Sequence, residues 1–134
     1  MAEDKPVFGT IGFYEEVAKQ LNNDATWREM AVPITYTMTF HYEEPVNKYF
    51  FLNFEAGEIT ETSELTNPDD RHVDFLIAGK PEVWKGVISG EISPPTAMAT
   101  AKFKIAGKQT ILLRHMKKFS YMINKMTEID AVFP

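Results

Sequence analysis

From Thr10 onward the apolar positions Phe13, Tyr14, Val17, Ala18 and Leu21 fall three and four apart, which predicts a helix capped by Thr10 and ending near Asn22 and Asn23. Asp24 or Thr26 can cap a further short turn holding Trp27 and Met30, and Pro33 stops helix there. The period then changes to two. Ile34, Tyr36, Met38, Phe40 and Tyr42 alternate with Thr35, Thr37, Thr39 and His41, the pattern of a half-buried strand. After the turn EEPVNK, Lys48 to Glu55 alternates Phe50, Leu52 and Phe54 with Tyr49, Phe51 and Asn53, so both faces of this strand are expected to be covered in part. The run EITETSEL reads as a third, more polar strand at an edge. NPDD is a turn, and His72 to Gly79 a fourth strand with Val73, Phe75 and Ile77 on one face.

Pro81 stands where a first helical residue belongs and Gly90 where a helix terminates, with Val83, Trp84, Val87 and Ile88 forming one apolar face between them. Ser93 and Pro94 open another short helix in the same way, with the small residues Ala97, Ala99 and Ala101 and with Met98. Ala101 to Ala106 reads as a fifth strand, placing Phe103 and Ile105 against Lys102 and Lys104. Gln109 to about Ile129 is expected to be the longest helix. Its Leu112, Met116, Phe119, Ile123 and Met126 are spaced four, three, four and three apart, opposite Arg114, Lys117, Lys118, Lys125 and Glu128. The elements together predict an α+β domain with a largely antiparallel sheet.

With 134 residues the chain is read as a single domain over 1–134, since domains cluster at roughly 100 to 150 residues. A content of 44% hydrophobic and 25% charged residues argues against wholesale disorder and for one packed core. Cysteine is absent, which removes thiol catalysis, thiolate metal sites and disulfides together. No apolar run approaches the roughly 20 residues that span a bilayer, and MAEDKPVFGT lacks a signal-peptide pattern, so the expected location is cytoplasmic.

The formal net charge of −5 speaks against nucleic acid as a partner. The charges are unevenly spread. Between Ile92 and Thr127 there is no Asp or Glu, whereas Lys102, Lys104, Lys108, Arg114, Lys117, Lys118 and Lys125 all fall there, seven of the 14 basic residues. This is either a solvated face balanced by the acidic middle of the chain or a patch for anionic headgroups.

Catalytic signatures are missing: there is no G-x-S-x-G elbow, no phosphate-binding glycine loop and no H-E-x-x-H pair. His72 and Asp74, two apart on a strand, point to one face and can form a metal or proton-transfer pair, though a metal needs further ligands that nothing nearby supplies. Tyr36 or Asp74 in an apolar cavity can act as the acid of an enolising isomerase, because burial raises a carboxyl pKa. His41 and His115 are singletons, read as surface or satisfied core residues. Met98, Met116, Met122 and Met126 suit either an ordinary core or an adaptable apolar cavity, since a thioether chain repacks around different shapes.

The stretch FLIAGKPEVWKGVISGEISPPTAMATAKFKIAG brings these features together. Trp84, Gly90, Pro94, Ala97, Lys102, Lys104, Ile105 and Gly107 stand where the type 2 sterol carrier protein family of lipid-binding domains has its hallmark residues, and the chain resembles that family over nearly its whole length. Thr100 and Ala101 replace a frequent glycine of the family, and Lys108 a frequent acid. The resemblance implies a five-stranded, mainly antiparallel sheet covered by helices and enclosing an apolar lipid tunnel. It implies a non-catalytic carrier of fatty acid, acyl-CoA, phospholipid or sterol, without metal or cofactor.

The tunnel residues so implied are Phe40, Phe75, Trp84, Val87, Ile88, Met98, Phe103, Ile105, Leu112, Met116, Phe119 and Met122. Lys102, Lys104, Arg114, Lys117 and Lys118 would hold a headgroup or touch an anionic membrane transiently, the protein being a monomer or weak homodimer. Two other classes stay open. One is an isomerase or hydratase acting on an apolar ketone or thioester through Asp74 or Tyr36; the other is a structural or regulatory dimerisation module.

Overall fold

The computed structural model describes residues 5–93, 96–97, 100 and 102–133. The first alternating run forms strand β1, Tyr36–Tyr42, and the aromatic run beyond the EEPVNK turn forms β2, Lys48–Glu55. Their antiparallel register sets Tyr36 opposite Phe54 and Tyr42 opposite Lys48. Strand β3, Glu58–Leu65, continues the meander on the far side of β2. Strand β4, Phe75–Gly79, lies on the other side of β1, and β5, Lys104–Gly107, follows it, giving the order β3-β2-β1-β4-β5.

Every neighbouring pair is antiparallel except β1 and β4, which are parallel. The cause is topological. Two reversals leave β3 running in the direction of β1, and the connection 66–74 returns the chain to the starting end of β1, so β4 must share its direction. β3 is an edge strand, and its polar composition suits that place.

The register gathers Met38, Phe40, Tyr42, Phe50, Leu52, Phe54, Phe75 and Ile77 on one buried face. Helix α1, Ile11–Asn22, lays Tyr14 flat over Phe40 and Phe50, at ring-centroid distances of 5.0 and 4.9 Å. Its Thr10 does not cap by side chain as the sequence suggests; the hydroxyl donates to the Val7 carbonyl instead, at 2.7 Å. Helix α2, Ala25–Met30, sets Trp27 against Phe54, and the Trp27 indole N–H donates to the Gly57 carbonyl at 2.8 Å. The opposite face is covered at its middle. Phe51 is buried beneath the Arg71 guanidinium, 4.4 Å from the ring centroid, so the 66–74 connection passes over that side. Arg71 is held by a two-pronged bond to Glu61, which with a bond from Ser63 lowers the Glu61 carboxyl to about 2.

Helix α3, Pro81–Ile88, begins on its proline and is followed by Gly90 in the left-handed region, φ 89°. Thr96 and Ala97 are helical, and Ser93 Oγ accepts the Thr96 N–H; Pro94, Met98, Ala99 and Ala101 lie outside the described residues. The long final helix predicted from periodicity is two helices: α4, Gln109–Arg114, and α5, Met116–Thr127. His115 separates them with φ −112° and ψ 29°. The apolar spacing is preserved across the break, which is why periodicity alone reads straight through it. Leu112 is buried while Leu113 is 63% exposed.

One ion-paired junction fastens α5 to α2. Asp24 caps α2 by accepting the Trp27 N–H, and also accepts the Tyr121 hydroxyl at 2.7 Å, with Lys125 Nζ at 3.2 Å. The Tyr121 bond, then the Trp27 N–H and Lys125, hold the Asp24 carboxyl below its ordinary value despite an opposing effect of burial. A depressed carboxyl adds stability above its unfolded pKa of about 3.9, and that stability is lost as pH falls through the folded value. The midpoint of urea unfolding should therefore fall as pH is lowered from about 5 through the unfolded carboxylate range and below it. Asp24→Asn, which retains a capping side chain, should flatten that fall; an unchanged slope would show that the junction does not contribute.

Candidate functional site

Trp84 stands at the centre of the space between sheet and helices. Its indole is parallel to the Tyr42 ring at 5.3 Å and 9°, edge-on to Phe40 at 5.4 Å, and tilted against Phe103 at 4.4 Å. The indole N–H donates to the His41 carbonyl at 2.9 Å, which orients the ring. Gly79 makes room for this arrangement, since a Cβ there would stand 2.8 Å from the Phe103 ring and 3.2 Å from the Trp84 indole nitrogen. The small residue closing β4, visible in the sequence as FLIAG, thus has a steric cause.

Phe40, Phe75, Trp84, Val87, Ile88, Phe103, Leu112, Phe119 and Met122 are all buried in one contiguous apolar cluster. Ile105 and Met116 are half-buried and pack against it; Met98 lies outside the described residues. The inward face of α5 carries Phe119, Met122, Ile123 and Met126. Among the described residues no carboxylate is buried, Thr39 being the buried polar side chain.

The basic residues do not form one patch with this interior. Register with β4 puts Lys104 beside Ala78 on the sheet face away from the helices, with its Nζ 3.8 Å from Glu43. Lys102 and Lys104 line an open cleft of about 280 Å³ with Lys80, Glu43, Glu82 and Val83, a lining of mixed sign. Arg114 and Lys117 are exposed and Lys118 is half-buried, all within five residues of the exposed Leu113 in the chain. None of these three has an ion-pair partner among the described residues.

Asp74 has a structural occupation. One oxygen accepts the Thr37 backbone N–H at 2.9 Å, and the other stands 3.3 Å from Lys108 Nζ and 3.4 Å from His72 Nε2. Burial pushes its pKa up, but the Thr37 bond, Lys108 and His72 together hold it below the ordinary carboxylate value. An enolising acid requires the opposite shift. These bonds also explain why β4 begins at Phe75 and not at His72: Asp74 and Thr37 exchange side-chain bonds with backbone groups where a regular ladder would start. Among the described residues no three His, Asp or Glu side chains lie close enough to hold a metal ion.

Tyr36 lies between Phe54 and Phe75, and burial raises its phenol well above the ordinary range. His115 faces the Tyr36 ring; burial first, then Lys118 and Arg114, keep its imidazole below the usual value. The sequence pattern does not reveal a hydroxyl pair inside the core, Tyr14 and Tyr42, 2.8 Å apart and both fully buried. Burial pushes both phenols up. Their positions at inward places of α1 and β1 are legible in the spacing, but their meeting is not.

The five-stranded sheet with helices over one face and an interior of aromatic, aliphatic and methionine side chains makes this an α+β domain. The chain belongs to the SCP-2 sterol transfer family, whose model matches residues 15–119. Membership supports lipid binding and transfer as the general activity.

The crystal structure of sterol carrier protein 2 superimposes with a TM-score of 0.79 at 15% identity, covering 90% of this chain and 98% of that one. A conserved hypothetical protein from Thermus thermophilus matches with a TM-score of 0.77 at 15% identity, covering 99% and 95%. The sec-alkyl sulfatase PisA1, as a double mutant, matches with a TM-score of 0.58 at 18% identity, covering 84% of this chain but 15% of that one. The fold thus also occurs as a small part of a larger enzyme. No curated protein matches the chain significantly. No helix among the described residues is long and apolar enough to cross a membrane.

Proposed function

We propose that the protein binds a lipid without chemical conversion and carries or presents it in the cytoplasm, with the apolar part of the lipid held between the sheet and the helices α3 and α5. The observation that carries this reading is the contiguous buried apolar layer around Trp84, Phe103, Leu112, Phe119 and Met122 in a member of this family. Transfer of each methylene from water into such a layer contributes about 0.8 kcal/mol. Met122 and the half-buried Met116 can repack as the ligand changes, so selectivity among fatty acid, acyl-CoA, phospholipid and sterol is expected to be loose.

Arg114, Lys117 and Lys118, near the exposed Leu113 in the chain, would meet anionic headgroups during transfer. Lys102 and Lys104 serve a headgroup less directly, since Glu43 and Glu82 share their cleft. The protein acts as a monomer or weak homodimer, with lipid and not nucleic acid as its partner. Asp74 is committed to Thr37, Lys108 and His72, which disfavours the isomerase reading.

The test is mass spectrometry of mildly purified protein, first native and then after organic extraction. A stoichiometric lipid released only on denaturation is expected. A clean unliganded mass that persists after incubation with fatty acids, acyl-CoA and sterols would overturn the carrier reading.

A further inference from the structure

The six-residue helix α4 is held to the body of the domain at few points. Its start is fixed: the Lys108 N–H donates to the Asp74 carbonyl at 2.8 Å, and Lys108 Nζ stands 3.3 Å from the Asp74 carboxylate. Beyond that, Leu112 is the buried residue of the helix, Ile111 packs half-buried on the core, and the Gln109 side-chain amide donates to the Ile105 carbonyl at 2.9 Å. Leu113 is 63% exposed, and the first turn has no side-chain cap. So short a helix is not stable by itself in water. These few contacts and the residue that ends the helix decide whether it stays docked.

That residue is His115, the point where the helical path breaks. Its N–H is shared between the Ile111 and Leu112 carbonyls, both at 3.2 Å, and its carbonyl accepts the Phe119 N–H at 2.9 Å, so it is the joint between α4 and α5. The ring faces Tyr36 of β1, with centroids 6.4 Å apart. Nδ1 is buried and has no hydrogen-bond partner among the described residues. A neutral imidazole with its proton on Nε2 leaves only a lone pair there. Protonation puts an N–H and a share of positive charge at the same place, with nothing to accept the one or balance the other.

The surrounding charges act in the same sense. Burial first, then Lys118 of α5 and Arg114 of α4, keep the imidazole below its usual value, and no carboxylate acts on it. The Tyr36 phenol, facing it from β1, is pushed further up by burial and stays neutral. Asp24, Glu61 and Asp74 are held below the ordinary carboxylate range, so they change charge at lower pH than a histidine does. A group whose pKa is lowered in the docked form binds its proton better when released. Its contribution to docking is complete above the free value, about 6.5, and is lost as pH falls below it.

We propose that α4 is an acid-released flap: the neutral His115 ring holds it against Tyr36 and the layer below, and protonation of His115 frees it between Lys108 and the joint. Release uncovers Leu112 beside Leu113, which already faces solvent, and opens the apolar layer at that point. An anionic surface concentrates protons as it does other cations, so a carrier meeting one would open there. Opening at a membrane rests on the carrier reading; the motion itself does not.

Amide hydrogen exchange of the full chain without lipid tests the motion, with each site normalised to its unstructured rate at the same pH. Protection of residues 111–115 is expected to fall about threefold or more between about pH 7.5 and about pH 5, while Phe119 to Met126 of α5 keep theirs. His115→Gln, neutral throughout, should remove this pH dependence, and His72→Gln should retain it. The ratio between the two pH values is what counts, so a variant that loosens α4 at every pH still decides the matter. Constant protection in the wild type, an equal loss across α5, or the same loss in His115→Gln would overturn the flap. Each of these leaves the carrier reading standing, since that reading fails on a persistently unliganded mass.

Discussion

Trp84→Ala is expected to lower the free energy of unfolding by about 3–5 kcal/mol, the range for removing a fully buried aromatic side chain. Trp84 has no exposed surface, and its indole touches Phe40 and Tyr42 of β1 and Phe103 ahead of β5. Removing it leaves a void that cannot close without moving α3 towards the sheet. It also takes away the donor to the His41 carbonyl. Trp84→Phe restores most of the volume but not that donor, so a smaller loss of about 1–3 kcal/mol is expected. Urea unfolding followed by far-ultraviolet circular dichroism measures both. A loss below about 1 kcal/mol for the alanine variant would show that the layer around Trp84 is not a packed core.

Gly107→Ala is expected to cost about 2–4 kcal/mol, for two additive reasons. Gly107 has φ 95°, a conformation L residues disfavour, and a Cβ would stand 2.6 Å from the Asp74 carbonyl oxygen. That carbonyl also accepts the Lys108 N–H at 2.8 Å, so the clash falls on the bond that joins the end of β5 to the start of β4. A thermal melt that matched wild type would mean that the turn can take another path. Gly90→Ala is the natural control. It too has a positive φ, of 89°, but a Cβ there would meet nothing within 4 Å. It should lose only the conformational part, about 1–2 kcal/mol.

Much of the buried interior is readable in the amino-acid sequence, for identifiable reasons. The apolar spacing of Phe119, Met122, Ile123 and Met126 determines which side of a helix can be buried, and these four are buried. Pro81 and Gly90 bracket α3 because a fixed φ suits a first turn and a positive φ suits a termination. The double-sided apolar character of β2 anticipates a cover over Phe51, although not that a guanidinium supplies it.

Other features depend on residues far apart in the chain. His72 and Asp74 alternate correctly for a shared face, but Asp74 is engaged by Thr37 and Lys108, 37 and 34 positions away, and spacing carries no information about such partners. Lys104 alternates with Ile105 in the sequence and stands on the opposite face of the sheet from it, but that Glu43 lies beside it is not legible in the spacing.

Local pattern was sufficient for most element types and for the buried face of each, because periodicity and glycine or proline positions act over a few residues, while the family was legible only as a resemblance in the stretch from Phe75 to Gly107. The parallel β1–β4 pairing, the break at His115, the joining of Tyr14 to Tyr42 and the duty of Asp74 emerged with the folded chain alone. Those outcomes are set by which surfaces meet when the chain closes on itself, and local pattern constrains the surfaces without fixing their partners.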